Sequence, residues 1–394
     1  MGAVAFSDLI TFSRSSGGGR FNAQGVYEWL PANTRRIDYD PVTGECRGLL
    51  IEEQRTNLLT YSNAFGDAAW QKTSATISSG VAIGPDGHAS MSAITETDTT
   101  GWHGIQQTVS SANGLAVVVS VYAKKGARDW LYMRSGSTNW GAVFFDLATG
   151  NVGGDYAGGS TPPSVVGKGM VHVGGGVYKC WAAFSSTDTL PVRLFASDHG
   201  GNIHGYTGNP GSKAIYIWGA QLEADSFPTS HIPTLAAQVT RTADIASVNT
   251  LSPWFNGVEG TLFVEAGMSS PNLPNWRRVL ELAASGTSYI ASFQTNNANG
   301  LSIYTNQDGV ARTVKGTTTR ASNNKMVVTW DSGSLSGSIN SESIGALTLP
   351  QAVSPISLSI GGSIMSGYAW SGHIKAIRYF PKRLSGSELQ ALTA

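Results

Sequence analysis

The sequence predicts an all-β protein made of tandem antiparallel β-sandwiches. Three observations carry that expectation. Charged residues are 13% of the chain, against roughly 25% in an average soluble protein. Glycine is 48 of 394 residues, about 12% where about 7% is usual. Runs of β-branched and aromatic residues recur between turn signals, at intervals typical of a sandwich. Few charges with many glycines disfavour helices, which draw on Ala, Glu, Lys and Leu.

The chain divides into three segments. Residues 1–62 hold short strand candidates such as Ile10-Thr11-Phe12, and a turn at Asp40-Pro41-Val42-Thr43-Gly44. This segment has too little apolar material to fold well alone. Within it, "GLLIEEQRTNLL" sets Leu49, Leu50 and Ile51 against Glu52, Glu53 and Arg55. We expect those leucines to dock as a strand or strap, with Arg55 beside a carboxylate. Buried charges are tolerated only when paired and hydrogen-bonded.

Within residues 63–235, "LAVVVSVYAK" (115–124) is dense enough in β-branched residues for a buried strand. In "DWLYMRS", alternation puts Trp130, Tyr132 and Arg134 on one face and Leu131 and Met133 on the other. "AVFFDLATGNV" reads as strand, turn, strand. "GVYKCWAAFSS" and "KAIYIWGAQLEA" follow, and Pro228 and Pro233 mark an exit strap. Residues 236–394 give about eight short strands, among them "EGTLFVEAGM", "NKMVVTWDSG" and "GHIKAIRYF", with a turn at Asp308-Gly309. Ser385 and Glu388 form a capping box that opens a short C-terminal helix through Leu389 and Leu392. No period relates the segments, so a solenoid is excluded.

Charge and composition exclude several function classes. Positive and negative side chains balance at 26 each, and basic residues are scattered, so no nucleic-acid partner is expected. No apolar run reaches the roughly 20 residues that span a bilayer, so no membrane insertion is expected. Cys46 and Cys180 are too few for a disulfide scaffold, and two free thiols are the simpler reading. No secretion signal is visible in Met1 to Arg14. No nucleotide fingerprint or nucleophile elbow occurs, and no cofactor is expected.

Glycosidases need two carboxylates opposed across a sugar. Glu52-Glu53, Asp38 with Asp40, and Glu223 with Asp225 are the nearest approaches, and none fits, so no catalytic residue is assigned. Asp198, His199 and His204 sit in a glycine-rich loop, and Asp331 is a further weak calcium candidate. Neither completes a ligand set, and metal stays unassigned. Binding is better supported. Trp102, Trp140 with its neighbour Asn139, Tyr156 and Tyr206 lie in glycine-rich stretches, where rings can stack on sugar C–H faces. The rival reading of each is a ring folded back over the sandwich rim. Trp130, Trp181, Trp218 and Trp330 lie in strand patterns and read as core, and Trp370 could cover a sheet or line a groove.

Three stretches resemble known families. "RRIDYDPVTGECRGLLIEEQRTNLLTYSNAF" (35–65) resembles a segment near the start of many tailed-phage and prophage fibre or head-spike proteins. "VSVYAKKGARDWLYMR" through "IYIWGAQLEADSFPTSHIPT" resembles the carbohydrate-binding-module-like sandwich of such proteins, with His231 where tyrosine is usual. "GHIKAIRYFPKRLSGSELQAL" is similar to the close of concanavalin-like and laminin-G-like jelly rolls. The resemblance implies a virion surface protein. Two jelly-roll sandwiches (63–235 and 236–394) would stand behind a short attachment segment (1–62) that meets other virion proteins, often as a homotrimer. The function it implies is adhesion or decoration of the particle surface through multivalent weak binding of host glycans. An assembly-only connector is the alternative, and a polysaccharide depolymerase the third.

Overall fold

The structure, a computed structural model, describes residues 6–110, 116–185, 189–201, 205–268, 277–283, 289–295, 300–307, 310–319, 323–349, 354–362 and 369–394. The Asp308-Gly309 turn lies outside them. The described chain is all-β apart from two short helices, Phe6–Leu9 and Gly386–Thr393. Its strands form two sandwiches.

The middle sandwich faces two six-stranded sheets against each other. One runs, in spatial order, Asn151–Gly158, Trp140–Asp146, Trp130–Gly136, Thr189–Ser197, His103–Ser110 and Gln71–Thr73. The other runs Val165–His172, Val177–Phe184, Val117–Lys125, Lys213–Glu223, Ala89–Glu96 and Ala75–Ile83. Alternation turns Ile105, Leu131, Met133, Val143, Phe145 and Leu194 of the first sheet inward. They meet Val119, Val121, Ala182, Ile215, Ile217 and Leu222 of the second.

The terminal sandwich is assembled from both ends of the described chain. In one seven-stranded sheet, Thr11–Ser13 pairs antiparallel with Ile245–Val248 at the edge. In the other, Cys46–Ile51 pairs with Gly372–Phe380, setting Leu49 opposite Ile374 and Ile51 opposite Gly372. Leu49 and Ile51 thereby enter a core that also holds Val264, Trp330 and Trp370. Gly48 sits at φ +101°, and any side chain there would run into the backbone of Ile374 and Lys375. Trp370 is thus a core residue of this sandwich. The C-terminal helix has the expected capping box, and Leu389 packs with Leu384, Phe263 and Val327 on a sheet face.

The charges beside those leucines are the joint between the parts. Glu52 accepts from Arg36 (2.6 Å) and from the backbone and hydroxyl of Ser230 (both 2.7 Å), on the strap that leaves the middle sandwich. Asp244 accepts from Arg14 (3.0 Å), from Arg36 and from the Glu52 amide (2.8 Å). Arg241 lies 3.5 Å from Glu52. All five charged side chains are buried. Burial opposes the charge on Glu52, but Arg241, Arg36 and Ser230 outweigh it and hold the carboxyl well below its usual range. Arg55 has the expected carboxylate neighbours, Glu53 and Asp225 (2.5 Å from the latter). Leu59, beyond the charges, is in the core of the middle sandwich.

Candidate functional site: a ring-paved sheet face

The first sheet of the middle sandwich has a second face, turned away from the core. Register fixes its composition. One row across neighbouring strands reads Phe144, Tyr132, Phe195, Gly104, Thr73. The next row crosses all six strands as Tyr156, Ala142, Arg134, Arg193, Gln106, Gln71. Directly paired residues share a face, so an aromatic row lies beside a row rich in hydrogen-bond donors.

Other rings complete the paving. Trp102 lies almost parallel on Tyr132, with centroids 4.7 Å apart, and on Phe195 at 5.6 Å. Tyr156 meets Phe144 edge-on at 5.2 Å. The Arg134 guanidinium lies over the Trp140 ring, 4.3 Å from its centroid. Tyr132, Phe144 and Phe195 are buried, whereas Trp102, Trp130, Trp140 and Tyr156 are half-buried and packed on them. Glycines make the room. A side chain at Gly158 would stand 2.5 Å from the Trp140 ring, and one at Gly104 would collide with Phe195. Gly200 likewise clears a place for Trp130.

The polar row is tied internally. Arg193 Nε donates to Gln106 Oε1 (2.7 Å), and Gln106 Nε2 donates to Gln71 Oε1 (2.8 Å). Arg193 also donates to the Gly136 carbonyl (2.7 Å) and Arg134 to the Ser137 carbonyl (2.9 Å). Burial raises the pKa of the Tyr132 hydroxyl, with Arg134 and Arg193 pulling it the other way. Large apolar surfaces beside a few fixed donors are the ordinary make-up of a ligand site.

Of the five residues singled out in the sequence, Trp102, Trp140 and Tyr156 converge on this face. Trp140 opens a strand, and Tyr156 lies within one. Asn139 stands at the rim, where its Oδ1 accepts from the Thr161 amide (3.1 Å) and ties two loops together. Tyr206 lies elsewhere. It is buried, its hydroxyl donates to Glu96 (2.6 Å), and Arg128 lies over its ring at 4.4 Å. Trp130, read as core, is on the ring-paved face, and Trp181, also read as core, lies half-buried over Gly167 and Gly169. Trp218 and Trp330 are buried as expected. The sequence reading missed Arg193, Gln106, Gln71 and Phe195. The alternation in "PVRLFAS", which sets Arg193 and Phe195 on one side, was the available signal. Among the described residues no cluster of three His, Cys, Asp or Glu could hold a metal, and His204 lies outside them.

No family model matches the chain, and no curated protein matches it. Solved structures match over about a third of it. The Ruminococcus gnavus IT-sialidase CBM40 is 18% identical, covering 35% of this chain and 84% of its own, with a TM-score of 0.31. A heptameric SAP-like pentraxin from Limulus polyphemus is 12% identical, covering 37% and 79%, with a TM-score of 0.30. The receptor binding domain of botulinum neurotoxin mosaic serotype C/D is 12% identical, covering 38% and 39%, with a TM-score of 0.31.

Proposed function

We propose that this chain is a surface-adhesion subunit, a spike or fibre, of a tailed-phage or prophage particle, and that it binds glycans of the host surface through the ring-paved face. One observation carries the binding role. Trp102, Trp140 and Tyr156 meet on a single partly exposed sheet face beside a row of arginine and glutamine donors. Half-buried rings packed on a rigid sheet are held in place before a sugar arrives, so little ordering cost falls on binding. Asn139 and Tyr206 take supporting parts, one at the rim and one in the frame behind Gly101. The place on a particle is supported by the phage-like phrases at 35–65 and 215–234.

Segment 1–62 was expected to serve attachment. From Thr11 onward its strands are paired within this chain, so contact with other virion proteins and a homotrimeric assembly would use the outer surfaces of the sandwiches. Several copies on one particle would raise a weak single-site affinity by orders of magnitude.

The test is binding of the purified protein to a panel of bacterial surface glycans and whole cells, with its oligomeric state measured in parallel by light scattering. A Trp102→Ala/Trp140→Ala variant should lose binding while keeping its strand content. Absence of binding by the unaltered, oligomeric protein would move the assignment to the assembly-only role.

A further inference from the structure

We infer that the ring-paved face carries an anion subsite, formed by Arg134 and Arg193, that selects sugars bearing an acidic oxygen group, a carboxylate or a phosphate. This rests on the glycan-binding reading and names the class of ligand it takes. Arg134 and Arg193 are direct cross-strand partners in adjacent antiparallel strands. Like charges placed directly opposite each other destabilise a sheet. Several arginines elsewhere in the chain are balanced: Arg14 and Arg36 by Asp244, Arg55 by Asp225, and Arg128 by Glu96. These two are not. Among the described residues their hydrogen bonds go to the carbonyls of Ser137 and Gly136 and to Gln106, and none goes to a carboxylate. Arg134 also has the Tyr132 hydroxyl beside it, a neutral group that supplies no balancing charge.

The neighbouring carboxylates are turned elsewhere. Asp155 pairs across the strands with Val143, a core residue, and so points off this face, where Lys168 holds it at 2.6 Å. Asp146 is on the face but opposite Trp130, four residues along the strand from Arg134 and so about 13 Å away. It is engaged with Thr149 at 2.7 Å. Burial lowers the pKa of both arginines, and Arg134 lowers that of Arg193 further. Two half-covered guanidiniums without an acid would be relieved by an oxyanion between them. Planar forked donors suit the two oxygens of such a group. Gln106 and Gln71 extend the row toward hydroxyls of the same sugar, and Trp140 and Trp102 flank it.

The experiment titrates the full chain with glucose, glucuronate and glucose 6-phosphate by ligand-observed NMR at low salt. Glucuronate or glucose 6-phosphate should bind about tenfold tighter than glucose, the size expected of a charge-assisted hydrogen bond. The gap should narrow as sodium chloride is added. Preference for the uronate alone identifies a carboxylate site, and preference for the phosphate alone a phosphate site. Either supports the subsite. Arg134→Gln removes one guanidinium of the pair and should bring the acidic sugar to within about twofold of glucose, the two being compared in the same variant so that any shared loss from the Trp140 ring cancels. Should that variant not fold, the comparison among the three sugars on the unaltered protein still decides. Equal binding of all three sugars would overturn the subsite and leave the glycan reading standing. No binding of any of them would overturn both.

Discussion

Replacing Glu52 with alanine should be among the most damaging single changes available in this chain. The residue is 3% exposed, and its carboxylate takes hydrogen bonds from Arg36 and twice from Ser230. Without it, Arg14, Arg36 and Arg241 remain buried around one carboxylate, Asp244. Breaking a buried pair by removing one partner costs about 3–5 kcal/mol, because the charge left behind stays desolvated. That is a large share of the roughly 5–15 kcal/mol that holds a folded domain. Urea unfolding followed by tryptophan fluorescence measures it directly. The control is Glu45→Ala, which removes an exposed partner 3.0 Å from Lys375 and should change stability by less than about 1 kcal/mol. If Glu52→Ala cost no more than Glu45→Ala, the buried charges would not be the joint described above.

Three further outcomes are expected. His231 is buried against Trp218 and Tyr27, and burial, with Lys179 nearby, lowers its pKa from 6.5 to about 3. The folded state therefore binds fewer protons than the unfolded one. Stability is full above about pH 6.5 and falls with acid by up to about 1.4 kcal/mol per pH unit. His231→Tyr should flatten the slope between pH 6.5 and 4.5 in thermal melts, and an unchanged slope would count against this. Gly158→Val should push the Trp140 ring aside, removing about 1 kcal/mol of stacking and weakening glycan binding roughly fivefold, with little change in unfolding midpoint. Exposed Cys46 should react with a thiol reagent in the native protein, whereas Cys180, buried with its thiol pKa pushed up, should react only after unfolding.

The strands of the middle sandwich were legible because each carries its own local signal. Val117–Lys125 is continuous in β-branched residues, and Trp130–Gly136 alternates. The make-up of the terminal sandwich was not legible. Leu49 pairs with Ile374, more than three hundred residues away, and no local pattern encodes so distant a partner. The sequence did show that "LLIEEQR" needed a dock and that Arg55 needed an acid. It did not show that the dock is a sheet edge of the far segment. Likewise, the glycine-rich stretches around Trp102, Trp140 and Tyr156 are not simply loops: Gly158 and Gly104 lie within strands and leave space for rings to lie flat. Alternation had already put Tyr132 and Arg134 on one side. The opposed arginine became visible only once the register of Thr189–Ser197 was known.

Sugar is proposed to meet this protein on the outer face of the sheet that runs from Asn151–Gly158 to Gln71–Thr73, and indole NMR reads that face out. Tryptophan side-chain N–H resonances are assigned with single Trp→Phe variants, and the glycan selected by the panel is titrated in. The signals of Trp102, Trp130 and Trp140 should move together with one dissociation constant, while those of the buried Trp70, Trp218, Trp330 and Trp370 stay fixed. Saturable binding that leaves Trp102 and Trp140 unmoved would contradict that proposal and place the glycan elsewhere on the chain.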